Sequence, residues 1–252
     1  VLLSKNIIDK WFFIKYSDPC YHLRIRFHLV DLTDFSKVIH EFKTFLTGFI
    51  IDKKIWKVEI DTYKRELERY GVSSINFAEF IVFIDSKAML AVIETISHRK
   101  NNELRWIIGI KNVDKLLTDF HLDLFEKEVF TFNLVKDFDK NNILLKGSKI
   151  KLNEKYRHCK IAIKDIVSTT NQLTPEFWNW NSVLNYRSFE ISQNYTEITR
   201  LCHRSQILEY LKSYVHMSLN RLFLNKTSFY EYVVYFYLNK YYKSEIIIIT
   251  NS

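Results

Sequence analysis

An α+β fold, with an N-terminal antiparallel sheet followed by a predominantly helical C-terminal part, is predicted by three observations. Residues 22–28, His-Leu-Arg-Ile-Arg-Phe-His, alternate strictly between apolar and polar side chains, the period of a half-buried strand. Just upstream, Trp-Phe-Phe-Ile-Lys-Tyr at 11–16 is an aromatic and β-branched run, the composition of a second strand. The chain as a whole has 252 residues, 47% apolar and 16% aromatic, with only 4 glycines and 2 prolines. So few breakers favour long helices over tight hairpins beyond the N-terminal region.

The elements follow in order. Ser17-Asp18-Pro19 is a turn signal that ends the first strand and joins it to the second as a hairpin. In the second strand Leu23, Ile25 and Phe27 face inward, which puts His22, Arg24, Arg26 and His28 on the other face. Same-face positions lie roughly 6.6 to 6.8 Å apart, so the two guanidiniums are spaced to share one carboxylate or phosphate through charge-assisted hydrogen bonds. A solvated sheet face is the ordinary alternative.

Residues 34–49 are predicted to form an amphipathic helix, with Phe35, Val38, Ile39, Phe42 and Phe45 at helical spacing and Gly48 near its end. Trp56 to Ile60 is a further strand candidate. Glu66 to Gly71 reads as a short helical turn closed by glycine, and Glu66 and Arg69, three apart, are neighbours on its face. Residues 74–97 form a long helix with Phe77, Phe80, Ile81, Ile84, Met89 and Val92 largely in the core. Asp85 on the same helix is a structural acid that suits an arginine partner. Residues 102–120 and 123–138 are further helices. The basic stretch 146–169 reads as loops around one helix near 157–167. Pro175 opens a helix carrying Phe177, Trp178 and Trp180. Residues 205–222 and 227–242 are two strong helices expected to pack as a hairpin, and His216 and Asn220, four apart, project from one side of the first.

Charge and cysteine usage bound the function classes. There are 37 basic and 29 acidic residues, giving +8 with histidine neutral, a balance that attracts anions without naming them. Aromatics are plentiful enough to stack bases but fall mostly at core spacing, and no nucleic-acid motif is present. A solvated basic surface is therefore expected, without direct nucleic-acid binding. Cys20, Cys159 and Cys202 are odd in number and widely spaced, which points away from a disulfide framework or a zinc site and towards a reducing compartment. The longest apolar run near the end, Ile246 to Ile249, is too short to span a bilayer. Length fits one large domain or two small lobes.

Four blocks, WFFIKYSDPCYHLRIRFHL, DTYKRELERYG, AEFIVFIDS and HMSLNRLF, occur in the order and at about the spacings found in the C-terminal part of lantibiotic dehydratases, also called the thiopeptide-type bacteriocin biosynthesis domain. The chain resembles that family over nearly its whole length. The resemblance implies a cytoplasmic lyase acting on a ribosomally made precursor peptide. An upstream tRNA-dependent domain glutamylates serine and threonine, and the C-terminal domain expels glutamate to leave dehydroalanine or dehydrobutyrine. It implies neither metal nor organic cofactor. Carried over by position, Arg24 and Arg26 are the family's paired arginines, Glu66 and Arg69 its acid–arginine pair, and His216 its C-terminal histidine, a general acid or base.

Departures from the family pattern are Lys15 for an arginine, and Val72 and Leu224 for glycines, which leave two turn geometries open. The chain starts at Val1 without the strand that ordinarily opens the domain. Residues 1–252 are thus expected to be a single elimination domain, an N-terminally incomplete piece of a longer enzyme. Two other readings remain: a relative that forms the thiopeptide pyridine ring by cycloaddition, and a non-catalytic peptide-binding module.

Overall fold

The computed structural model describes residues 1–97, 103–140, 147–168 and 175–251. Among these, two strands and eight α-helices are found in the order β1 (Ile8–Tyr16), β2 (His22–Leu29), α1 (Phe35–Ile51), α2 (Leu67–Thr95), α3 (Glu103–Asp119), α4 (Leu124–Lys140), α5 (Ser148–Ser168), α6 (Pro175–Leu201), α7 (Arg204–Leu222) and α8 (Thr227–Thr250). The α+β expectation holds. The chain divides into two compact units, Val1–Phe83 and Ile84–Ser252, with the division falling inside α2.

In the first unit β1 and β2 form an antiparallel hairpin in which Phe12 faces Arg26, Ile14 faces Arg24 and Tyr16 faces His22. Opposed residues of an antiparallel pair share a face. Trp11, Phe13, Ile25 and Phe27 therefore lie on the opposite face from the arginines. Phe27 meets Phe42 of α1 edge-on, ring centroids 5.1 Å apart, and Ile7, Ile8 and Val38 form a small core with Trp11, Leu29 and Phe42 around it. Leu23 shares that face by register but sits where the hairpin leaves the helix behind, 53% exposed, so it is not the inward residue expected. A 3-10 turn, Leu32–Asp34, leads into α1, its entry tied by the Asp31 carboxylate accepting from the Thr33 amide. Gly48 lies in the last turn of α1, near its end as expected.

The expected strand at Trp56–Ile60 is not one: 55–66 carry neither helix nor strand. Its alternation is real, because Lys57 and Glu59 pair at 2.6 Å on one side. Trp56 and Ile60, however, are 79% and 67% exposed, and an extended segment without a partner strand makes no ladder. The turn after it is as expected. Glu66 carbonyl accepts from the amides of Arg69 and Tyr70, and Gly71 (φ 72°, ψ 162°) breaks the helical geometry before α2 continues. Only glycine readily adopts that conformation. Val72 and Leu224 have no positive φ, so the glycines they replace are not needed for the backbone here.

The second unit is a helical assembly. α8 is buried on most sides from Glu231 to Tyr242 and packs on α3, α4, α5 and α7, including the α7–α8 hairpin expected. α3 comes close to α7 and α8 at Gly109, where a Cβ would lie 3.1 Å from Val234 and 3.3 Å from Leu219. α5 is one 21-residue helix rather than loops around a short one. It buries the single stripe Leu152, Tyr156, Ile163 and Ile166, narrow enough to be hidden among lysines. α8 runs eight residues past the expected end. Phe177 and Trp178, and most of the SHRKNNELR run, lie outside the described residues and side chains.

Candidate functional site

Arg24 and Arg26 stand on the hairpin face that does not pack on α1, as the alternation predicts. Arg24 is held locally: its guanidinium lies 4.0 Å over the Tyr16 ring and its Nε donates to His22 Nε2 at 3.1 Å. His22 Nδ1 in turn lies 2.9 Å from the Cys20 carbonyl. A carbonyl only accepts, so that nitrogen carries the proton and Nε2 is the acceptor that Arg24 needs. Among the described residues, neither Arg24 nor Arg26 has a carboxylate within ion-pair distance. Arg65, by contrast, is fully engaged, with Nε and Nη2 donating to the two Glu79 oxygens at 2.8 Å and Nη2 to Asn76 at 2.6 Å.

That Arg65 fork ties the irregular segment to α2 and so places Tyr63, a residue the sequence reading passed over. The Tyr63 ring meets Phe12 edge-on at 5.4 Å, and Phe12 is the cross-strand neighbour of Arg26. Burial pushes the Tyr63 phenol up to about 12, with Glu79 and Glu66 adding to it, so it keeps its proton near neutrality. Three residues on, Glu66 and Arg69 form the expected pair at 3.2 Å. Both are solvent-accessible, and a pair of that kind contributes little to stability. The hairpin face and the Glu66–Arg69 turn are thus joined through one aromatic contact within the first unit.

His216 belongs to the second unit. α7 presents its side chain 58% exposed, whereas its partner Glu231 on α8 is 2% exposed. His216 Nδ1 lies 2.9 and 3.0 Å from the two Glu231 oxygens, and the buried Tyr235 hydroxyl donates to Oε1 at 2.6 Å. Burial and the adjacent carboxylate hold the Tyr235 phenol well above its ordinary range, so it acts as a donor. Glu231 was also missed in the sequence. Its signal is there: it is the only charged residue between Lys226 and Lys240, in a run of aromatic and aliphatic side chains.

Asp85 is the structural acid expected, with two arginines rather than one. Arg187 Nη1 donates to Oδ1 at 2.7 Å and Arg221 Nη1 to Oδ2 at 2.9 Å, both guanidiniums being buried. The Ser218 hydroxyl donates to Oδ1 at 2.8 Å and accepts from Asn112. This network sits on α7 beside the helical turn that carries His216. It bonds α2, α3, α6 and α7 to one another, and its chemistry is positional.

An arginine face on a hairpin without a carboxylate partner among the described residues, a neighbouring acid–arginine turn, and a helical unit with a carboxylate-held histidine are the polar features of this α+β fold. Residues 1–242 match the family described as lantibiotic biosynthesis dehydratase C-term, and the chain belongs to that family. No curated protein matches it. Among solved structures, the tRNA-dependent lantibiotic dehydratase MibB from Microbispora sp. 107891 is similar over 96% of this chain at a TM-score of 0.72 and 18% identity. TsrL is similar over 96% of this chain and 87% of its own, at a TM-score of 0.60 and 13% identity. The chain spans a quarter of the MibB chain. No helix among the described residues is long and apolar enough to cross a membrane.

Proposed function

We propose that this chain expels glutamate from glutamylated serine or threonine in a ribosomally made precursor peptide. The glutamyl group would be supplied by a tRNA-dependent domain or subunit, and the reaction would take place in the cytoplasm. In this β-elimination the Cα–H bond breaks as a base takes the proton. The Cβ–O bond breaks with its electron pair going to the departing glutamate side-chain carboxylate, and a Cα–Cβ double bond forms. The protein has to grip an anionic group, move one proton and balance charge beside a carbonyl.

Arg24 and Arg26 supply the grip, and the observation that carries this reading is that neither has a carboxylate of its own among the described residues while sharing one face. Arg69, oriented by Glu66, adds a third cation. His216 exchanges the proton, because imidazole titrates near neutrality. A pyridine-forming cycloaddition has no leaving carboxylate and would leave the arginine face without a task. The test supplies a glutamylated peptide and weighs the products. The parent chain is expected to release glutamate, and Arg24→Ala or Arg26→Ala to lower kcat/KM about 10- to 150-fold, the value of one charge-assisted contact. Parent-like conversion by Arg24→Ala or His216→Ala would remove those residues from the site.

A further inference from the structure

Glu231 is a costly residue to keep where it is. A carboxylate taken out of water loses several kcal/mol of solvation unless its oxygens are matched, and α8 is otherwise aromatic and aliphatic around it. Its oxygens meet the Tyr235 hydroxyl on one side and His216 Nδ1 on the other. The contrast with Asp85 is informative. Every side chain that bonds Asp85 is itself buried, as suits a group that only fastens helices together. Glu231 instead turns a dry carboxylate towards a histidine whose side chain is more than half exposed.

From this geometry we infer that Glu231, steadied by Tyr235, is a positioning residue that fixes His216 in the Nδ1–H tautomer, so that Nε2 is the nitrogen that exchanges protons with substrate. An ionised carboxylate accepts and cannot donate, so a bond to Nδ1 requires the proton on that nitrogen, and the lone pair of neutral imidazole is then at Nε2. Tyr235 occupies Oε1 as donor, limiting how the carboxylate can turn. The negative charge also favours the imidazolium that follows proton uptake at Nε2, which fits a histidine acting first as base. Among the described contacts, Glu231 and Tyr235, both on α8, are titratable groups of this relay. The role in turnover rests on the elimination reading above, but the tautomer does not.

The experiment has two arms on the full chain. Nitrogen-15 NMR of histidine-labelled protein reports the tautomer without substrate: His216 is expected as Nδ1–H in the parent and as a mixture of both tautomers in Glu231→Gln. An Nε2–H tautomer in the parent, or an unchanged spectrum in Glu231→Gln, would overturn the inference. In the second arm, glutamate release from glutamylated peptide should fall about 100-fold or more in Glu231→Gln. The limb of the pH–rate profile set by His216 should move to lower pH, because the charge favouring imidazolium is gone. Glu231→Asp, which keeps the charge, should return the limb towards its parent position. In a His216→Ala background, Glu231→Gln should change the rate no further, and a full additional loss there would mark Glu231 as structural only. If the parent chain releases no glutamate while the NMR arm behaves as expected, the elimination reading fails and the tautomer assignment stands.

Discussion

At the residue scale, the same side-chain type serves two ends, and its surroundings decide which. Arg187 and Arg221 are dry and share Asp85, whereas Arg24 is exposed and lies on an aromatic ring with no carboxylate partner among the described residues. Removing the shared acid should expose the difference. Asp85→Ala removes the carboxylate that two buried guanidiniums share and is expected to cost about 3–5 kcal/mol of stability, read as a lower urea midpoint, while Arg24→Ala should change stability by no more than about 0.5 kcal/mol. Tyr63 gives a pH signature. Its phenol is held at about 12, above the ordinary value of 10.0, so the native chain keeps a proton that the unfolded chain has begun to release. The stability tied to that proton is complete below about pH 10 and is lost as pH rises to about 12. Urea midpoints across that window should fall more steeply in the parent than in Tyr63→Phe, and equal slopes would place the phenol in water instead.

At the scale of elements, glycines separate conformational need from mere occurrence. Gly48 is inside α1 with nothing within 4 Å of a built Cβ, so Gly48→Ala should stabilise by about 0.5–1 kcal/mol through helix propensity alone. Gly71→Ala should do the opposite, by about 1–3 kcal/mol, because the turn there occupies a region that is almost exclusively glycine's. Thermal melts of the two variants should shift in opposite directions. These contrasts also explain what could be read from the sequence. The hairpin was legible because its period of two is a local property, and so were α1, α3, α4 and α7, whose apolar residues recur at helical spacing in the sequence. Trp56–Ile60 has the same local period, yet a strand is defined by a partner, and no pattern inside the segment reveals that it lacks one. In α5 only the part near 157–167 is legible as helix, because its buried stripe is narrow and set among lysines. In the candidate site, Arg24, Arg26, Glu66, Arg69 and His216 are candidates because each lies in a block of contiguous sequence. Glu231 and Tyr63 were missed because their relevance depends on how α8 folds back along α7 and how Arg65 fastens an irregular segment to α2.

At the scale of the whole molecule, the residues proposed for elimination belong to different compact units: Arg24, Arg26, Glu66 and Arg69 to the first, His216 and Glu231 to the second. The net charge of +8 adds a general attraction for an acidic substrate that salt should weaken, since the screening length is about 8 Å at physiological ionic strength. KM for glutamylated peptide is therefore expected to rise with salt more than kcat changes. The division of labour makes a sharper prediction. Arginines that hold the glutamyl group in the ground state should act chiefly on KM, and a histidine that moves the proton chiefly on kcat. Groups that serve one transition state are not independent, however, and losses at such groups do not multiply. Arg26→Ala combined with His216→Ala should thus lower kcat/KM by clearly less than the product of the two single losses, measured by glutamate release. A product that is fully multiplicative would mean that the two units do not act on the same reacting group, and the arginine face would then be a binding surface separate from the histidine's chemistry.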